Sequence, residues 1–408
     1  MSERQWKRLD AVERLEQGKL GVGAVAQVLG LSTRQVRRLR QSIKRRGKAA
    51  IIHGNTGRRP KNRTPEKVRI RIIELARGKY AGFNDTHLTD KLVEEEKVKL
   101  SRASVQRILR GNGVAAVRKH RAAKHRRRRE RKPQEGLMLQ WDGSRHDWLE
   151  GRGPILCLMG AVDDATSELL PGAHFVLQES AAGYLTLLKG IVEEKGLPWS
   201  IYQDRHGSLK RNDSHWTPEE ELRGAQEPTQ VGRVLAELGI EPIFAMSPQA
   251  KGRVERQWGT LQDRLTSELR LAKACTIEEA NAVLDRVRPQ LNQRFEKAAQ
   301  DPTPAWRKVR PGMDLERAFS LRYQATVGND NAVRIGGRVF DIPPGPSRRS
   351  YAKAKVDVCQ LLDGSWRIYL GDSLLSTAAK THLGELRALS TRKRNAASRA
   401  FRKAVRAA

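Results

Sequence analysis

The chain has 408 residues, and its 78 Lys and Arg against 46 Asp and Glu give a formal net charge of +32. Such a length exceeds one ordinary domain, and such a charge favours a polyanionic partner, either nucleic acid or an anionic membrane surface. The longest uncharged apolar run, residues 155–162, is too short to span a bilayer, and residues 1–8 lead into no apolar signal core, so the chain is expected to stay in the cytoplasm.

Residues 6–46 read as helices. Val22, Val25, Ala26 and Leu29 recur at helical spacing, Gly30-Leu31 makes a turn, and Ser32 can cap a helix over 33–46. That helix carries Val36 and Leu39 on one side and Arg34, Arg37, Arg38 and Arg40 on the others. The pattern fits a helix-turn-helix within residues 1–50, with a plain helical hairpin as the alternative. Residues 51–64 form a Gly/Pro/Arg-rich connector, in which Arg58 and Arg59 either follow DNA or belong to a simple linker.

Residues 65–117 repeat the theme with helices over 65–77 and 86–96 and a third that Ser101 caps. A second helix-turn-helix follows, exposing Arg102, Arg107 and Arg110, while Glu94-Glu95-Glu96 should turn its own helix away from DNA. Residues 118–135 are a basic linker. There Arg126, Arg127, Arg128 and Arg129 suit phosphate without sequence preference, and a nuclear localisation signal is the other reading.

From residue 137 the pattern changes to strands, at 137–142, 154–162 and 172–177. A helix at 181–194 and a strand at 199–204 follow, then a polar insertion at 207–228. A helix at 229–238, a strand at 243–245, a long helix announced by Ser247-Pro248 and a helix at 276–295 complete a mixed sheet covered by helices, residues 136–311. Residues 312–385 turn to short β segments. Asp363-Gly364 signals a hairpin there, and a small β-barrel is expected. A basic tail, 386–408, ends the chain. The fold class is multidomain α+β.

Charge separates these parts. Residues 1–135 hold 38 basic and 13 acidic side chains, residues 136–311 hold 22 and 25, and residues 312–408 hold 18 and 8. DNA affinity should come from the two ends, while the middle tolerates clustered carboxylates. Cys157, Cys275 and Cys359 are isolated, so neither a disulfide framework nor a Cys-x-x-Cys zinc site is expected.

Three acids stand out in that middle. Asp142 and Asp204 each end an apolar strand, and Glu255 lies near the start of the long helix, at separations of 62 and 51 residues. Brought together, they would cage divalent metal. Phosphodiester chemistry needs a nucleophilic oxygen, charge stabilisation and leaving-group help, which two Mg²⁺ ions about 3.5–4 Å apart supply from carboxylate ligands.

The motifs Gln140-Trp141-Asp142-Gly143-Ser144, Asp163-Asp164-Ala165-Thr166, Tyr202-Gln203-Asp204-Arg205-His206-Gly207 and Ser247-Pro248-Gln249-Ala250-Lys251-Gly252-Arg253-Val254-Glu255-Arg256 carry a resemblance. The chain resembles a DDE transposase of the retroviral-integrase superfamily, most nearly the ISNCY-type insertion-sequence transposases. His53-Gly54-Asn55 and residues 146–153 add to it, and it covers nearly the whole chain. It implies helix-turn-helix arms, an RNase H-like core and a terminal barrel. It also implies Asp142, Asp204 and Glu255 as catalytic and metal-binding residues, with two Mg²⁺ per site and Mn²⁺ able to substitute. The 50 residues between Asp204 and Glu255 exceed the family's usual interval, and the 207–228 loop can absorb the excess at little closure cost. The zinc motif of retroviral integrases is absent, so no structural zinc is expected.

Other acids compete. Asp163 and Asp164 read as hairpin-turn residues, Asp147 and Glu150 as loop surface, and Asp263 as two turns past Glu255 on the same helix. At 100° per residue, Lys251, Gly259 and Gln262 fall within about 40° of Glu255, Val254, Trp258, Leu261, Leu265 and Leu269 form the docking stripe, and Arg253 projects nearly opposite. Lys251 is therefore the candidate for the DNA end, and Arg253 for a remote phosphate or a structural pair. His206 either approaches the scissile phosphate or is an ordinary loop histidine.

The expected activity, implied by the resemblance, has three steps. The chain binds terminal inverted repeats of double-stranded DNA, hydrolyses the element ends to free 3′-hydroxyls and joins them to target DNA. It would act as a homo-oligomer on the bacterial nucleoid, without a membrane. The alternatives are a non-catalytic DNA-binding regulator and a stand-alone metal-dependent nuclease.

Overall fold

The computed structural model describes residues 2–52, 55–56, 63–117, 129–211, 216–245 and 252–386. The chain divides into two compact units, residues 1–71 and 72–408.

The first unit holds α1 (Glu3–Glu16), α2 (Val22–Leu29), α3 (Thr33–Arg46) and a 3-10 turn at Gly47–Ile51. Ala11, Leu15, Val25, Ala26 and Val36 make its core. Gly30 closes α2 at a φ of +62°, and Leu31 N–H returns to Ala26 O at 2.9 Å, so the chain reverses tightly into α3. Ser32 and Gln35 form a capping box at the start of α3. These are the expected turn and cap.

The division falls inside α4 (Glu66–Arg77), which is followed by α5 (Asp85–Glu94) and α6 (Arg102–Gly111). In the second unit Ile72, Leu75, Tyr80, Phe83, Leu88, Leu92, Val105, Ile108 and Leu109 are buried. Asn84 and Ser101 cap α5 and α6. Here α5 lies on the core helix α10 (Val254–Leu271), tied by His87 Nε2 to Glu268 Oε1 at 2.8 Å, Lys91 Nζ to Glu268 Oε1 at 2.8 Å and Arg264 Nη2 to Asp90 Oδ2 at 2.8 Å.

The core sheet consists of β1 (Met138–His146), β2 (Leu156–Asp163), β3 (His174–Val176), β4 (Ser200–Gln203) and β5 (Glu241–Phe244), in the order β3-β2-β1-β4-β5. β2 runs antiparallel to both β1 and β3, and β4 runs parallel to both β1 and β5. Side-chain alternation sorts the two faces. Leu139, Trp141, Cys157, Met159 and Ile201 pack toward α7 (Ala181–Glu194) and α9 (Gln230–Glu237). Leu156, Leu158, Val162 and Phe175 pack toward α10 and α11 (Ile277–Phe295). The result is a mixed sheet flanked by helices.

Three features depart from the sequence expectations. β1 runs past Asp142 to His146, because β2 pairs with it from Leu139↔Asp163 to His146↔Leu156. The insertion contains α8 (Pro218–Arg223), started by Thr217 and Glu220 in a capping box. After α12 (Leu315–Ala318), the C-terminal strands are β6 (Leu321–Thr326), β7 (Ala332–Ile335), β8 (Arg338–Asp341), β9 (Lys355–Gln360), β10 (Trp366–Leu370) and β11 (Ser373–Ala378). The β9–β10 hairpin forms around Asp363-Gly364 as expected. However, the strands make a four-stranded sheet, β11-β10-β9-β6, and a separate β7-β8 pair, so no closed barrel exists among the described residues. Ser376 Oγ donates to Asp341 O at 2.9 Å, a side-chain bridge between the two sheets, which share one core through Val333, Phe340, Val358 and Trp366. No helix among the described residues is long and apolar enough to cross a membrane.

Candidate active site

Backbone pairing brings the two aspartates together. Gln140 of β1 pairs with Tyr202 of β4 in parallel. Asp142 lies two residues further along β1 and Asp204 just beyond the end of β4, so the parallel pairing carries both to the same end of neighbouring strands. Trp141 Nε1 donates to Gln203 Oε1 at 2.9 Å directly behind them, fixing that register with a buried bond. Both acids are partly buried.

Helix α10 runs along β1 and meets it rung by rung. Trp258 Nε1 donates to Asp142 Oδ2 at 3.3 Å, and Gln262 Nε2 to Ser144 Oγ at 3.3 Å. The expected stripe of Val254, Trp258, Leu261, Leu265 and Leu269 is the buried face that docks it. Glu255 occupies the first turn, on the helical face that Gln262 also uses, and is exposed. Its carboxylate does not complete a cluster. Among the described residues, no three His, Cys, Asp or Glu side chains form a group able to hold a metal ion.

A fourth carboxylate, missed in the sequence, lies beside the aspartates. Glu179 immediately precedes Ser180, the N-cap of α7. Its Oε1 accepts from Tyr184 OH at 2.6 Å and lies 3.2 Å from His206 Nδ1. Gly143 makes room for it, since a Cβ there would come within 2.7 Å of Glu179 Oε2. Burial pushes the Glu179 carboxyl above its ordinary pKa. The Tyr184 hydrogen bond and His206 oppose that rise, and the charges of Asp204 and Asp142 add to it. The Cys157 thiol is pushed up to about 12, first by burial and then by Glu179 and Asp142. No motif in the sequence marks Glu179, and a glycine beside Asp142 is the signal that could point to a close approach.

The competing acids have structural work. Asp163 Oδ1 accepts from Ala165 N and Thr166 N, and its Oδ2 from Gly136 N, each at 2.9 Å. Asp164 is fully buried. It accepts from the Arg129 and Arg253 guanidinium groups, from Gln140 Nε2 at 2.7 Å and from Lys132 N at 2.9 Å. Burial raises its pKa, but the Lys132 N–H and the charges of Arg129 and Arg253 outweigh it and hold the carboxyl below its ordinary value. Of the two roles open to Arg253, the structural pair is therefore the one observed. Asp147 accepts from Gly151 N, Glu150 pairs with Arg152 and Arg270, and Asp263 accepts from Asn84.

Among the expected DNA contacts, Arg34, Arg37 and Arg38 are exposed on α3, and Arg40 pairs with Glu16. Arg102 and Arg107 are exposed on α6, whereas Arg110 pairs with Asp85. Arg129 pairs with Asp164. Arg58, Arg59, Arg126, Arg127, Arg128 and Lys251 lie outside the described residues. Cys157 and Cys359 are buried, and Cys275 is exposed.

No family model matches the chain. It is 38% identical over 295 residues to the y4bF protein of Sinorhizobium fredii, provisionally named a transposase, across 72% of this chain and 63% of that one. It is also 28% identical over 416 aligned positions to the transposase for insertion sequence IS1202 of Streptococcus pneumoniae, across 91% of this chain and 85% of the relative. The chain is related to insertion-sequence transposases. This bears out the resemblance read from the sequence, although the chain spans less than two thirds of the y4bF length. Among solved structures, a simian T-cell lymphotropic virus intasome in complex with PP2A regulatory subunit B56 gamma aligns at a TM-score of 0.30 and 13% identity, across 76% of this chain and 99% of that one. The HTLV-2 integrase catalytic core domain with magnesium (dimeric form) aligns at 0.28 and 15%, across 41% and 94%. Likenesses this weak carry no weight here.

Proposed function

We propose that the chain is a DDE-type transposase, a metal-dependent polynucleotidyl transferase. It binds terminal inverted repeats, hydrolyses the element ends to free 3′-hydroxyls and joins them to target DNA. The observation that carries this reading is the parallel β1–β4 pairing, which brings Asp142 and Asp204 to the same end of neighbouring strands, with α10 tied to Asp142 through Trp258. The relationship to insertion-sequence transposases supports it.

Carboxylate oxygens are the hard ligands that Mg²⁺ takes, and Mn²⁺ can replace it. Asp142, Asp204 and Glu255 would hold the metal, which supplies charge neutralisation at phosphorus and a more acidic attacking oxygen. Asp142 and Asp204 are short side chains at the same end of two paired strands. Glu255 adds reach from a helix end. Arg34, Arg37 and Arg38 on α3, and Arg102 and Arg107 on α6, are suited to DNA phosphates or base edges as parts of two helix-turn-helix arms. Residues 136–311 are, in this reading, an RNase H-like core. Joining two ends in concert requires more than one copy on DNA, in the bacterial cytoplasm.

The exposed Glu255 favours a second reading, a DNA-binding regulator without catalysis. The two separate in one assay. The full chain is incubated with Mg²⁺, a supercoiled target plasmid and the DNA that flanks its coding sequence. The transposase reading expects 3′-hydroxyl ends and joined products. Binding with no cutting under Mg²⁺ or Mn²⁺ would support the regulator, and cutting with no joining would support a nuclease.

A further inference from the structure

The basic helices α3 and α6 present different outer faces. α3 contains no acid, and at about 100° per residue Arg37, Arg38 and Gln41 fall within about 60° of Arg34. Val36, the buried residue of the helix, lies about 160° away, so this stripe points outward, and all four side chains are exposed. Among the described residues, none of the four is held by an ion pair or a side-chain hydrogen bond. Their neighbours are committed elsewhere. Gln35 Oε1 accepts from Ser32 N at 2.9 Å in the capping box, and Glu16 of α1 holds Arg40 and, at 3.5 Å, Lys44. The same spacing on α6 gives Ala103, Gln106, Arg107 and Arg110. There Ala103 offers no polar side chain and Gln106 is half-buried. Arg107 turns back to Ala103 O at 3.2 Å and Ser104 Oγ at 3.3 Å, and Arg110 is held by Asp85 and Val114 O.

We infer that α3, and not α6, selects the DNA sequence this chain binds, with Gln41 choosing an adenine beside guanines chosen by the α3 arginines. A recognition helix in the major groove reaches base edges through residues at i, i+3, i+4 and i+7 of one face. Arg34, Arg37, Arg38 and Gln41 are such a set, free to meet a new partner. The arginines carry donors only, which suit the O6 and N7 acceptors of guanine. Gln41 alone in the set also has an acceptor, so it can receive the adenine N6 amino group while donating to N7. On α6, Arg102 is exposed at the first turn and is left for phosphate, which fixes position without reading sequence.

The inference rests on the reading of both helices as parts of DNA-binding arms. The full chain is used to select duplexes from a randomised library, as wild type, Gln41→Ala, Gln41→Arg, Arg38→Ala and Arg102→Ala, with helix content followed by circular dichroism. Wild type should enrich a site of guanines with an adenine. Gln41→Ala should lower discrimination at that adenine about tenfold and leave the other positions unchanged. Gln41→Arg should exchange the adenine for guanine, which a merely structural role would not do. Arg102→Ala should weaken binding to all sequences alike and reduce its salt dependence. An unchanged preference in both Gln41 variants overturns the inference and leaves DNA binding standing. So does loss of preference in Arg102→Ala, or a wild type that binds duplexes but enriches none. No duplex binding by wild type removes the DNA-binding reading itself, and the inference falls with it. If the Gln41 variants lose helix, Arg38→Ala decides, by loss of selection at one guanine or its retention.

Discussion

The Trp258 indole lies across Gly160, the residue paired with Asp142, and donates its N–H to the Asp142 carboxylate at 3.3 Å. One side chain therefore fixes both how near α10 comes to the sheet and which way Asp142 points. A Cβ on Gly160 would come within 2.7 Å of Trp258 Cη2, so the ring could not keep its seat. Gly160→Ala should destabilise the protein by roughly 1–3 kcal/mol, the usual cost of overpacking a core. Urea unfolding measures that cost, and an unchanged midpoint would mean that the ring yields freely.

Glu179 gives a pH signature. Its folded pKa is raised, mainly by burial. The folded chain then holds a proton that the unfolded chain releases, so the stability is fully present below the unfolded value of about 4.5 and is lost as pH rises through the folded value. Gln cannot lose that proton. The unfolding free energy of Glu179→Gln relative to wild type should shift in the variant's favour as pH climbs above 4.5, and a flat difference from pH 4 to 8 would contradict this.

His87 works in the opposite direction. Burial lowers its pKa, the Glu268 hydrogen bond opposes that, and the Arg264 and Lys91 charges assist burial. Its Nδ1 is buried and makes no hydrogen bond, as suits a neutral ring donating from Nε2 to Glu268. The unfolded chain binds the proton first, so stability falls as pH drops from 6.5 toward the folded value. His87→Gln should flatten that fall in denaturation curves between pH 5 and 7.5. An equally steep fall in the variant would assign the effect to other groups.

Much of the fold was legible because periodicity and caps agreed. Gly30 and Ser32 marked the α2–α3 turn, and the Val254, Trp258, Leu261, Leu265 and Leu269 stripe gave the docked face of α10. The second half of β1 was not legible. Asp142 to His146 is polar and contains Gly143, so its strand character comes from pairing with the apolar β2 and not from its own side chains. The barrel expectation failed for a related reason. Short strands with turns do not disclose which edges pair, and here β7-β8 stays apart from the larger sheet. At the site, the parallel β1–β4 pairing carries Asp142 and Asp204 to the same end of the sheet, as the apolar runs ending in Asp suggest. Glu179 approaches Gly143 across 36 positions and Arg253 reaches Asp164 across 89, and no local pattern announces either contact.

In the proposed function, Asp142, Asp204 and Glu255 act together on DNA. The most direct measurement is Mg²⁺-dependent cleavage of the flanking DNA by Asp142→Ala, Asp204→Ala and Glu255→Ala, with binding of the same DNA followed in parallel. Each variant should lose cleavage by about a thousandfold or more, as removal of a core catalytic group does, while binding stays within a few-fold of wild type. Cleavage at the wild-type rate by all three would remove these acids from the chemistry.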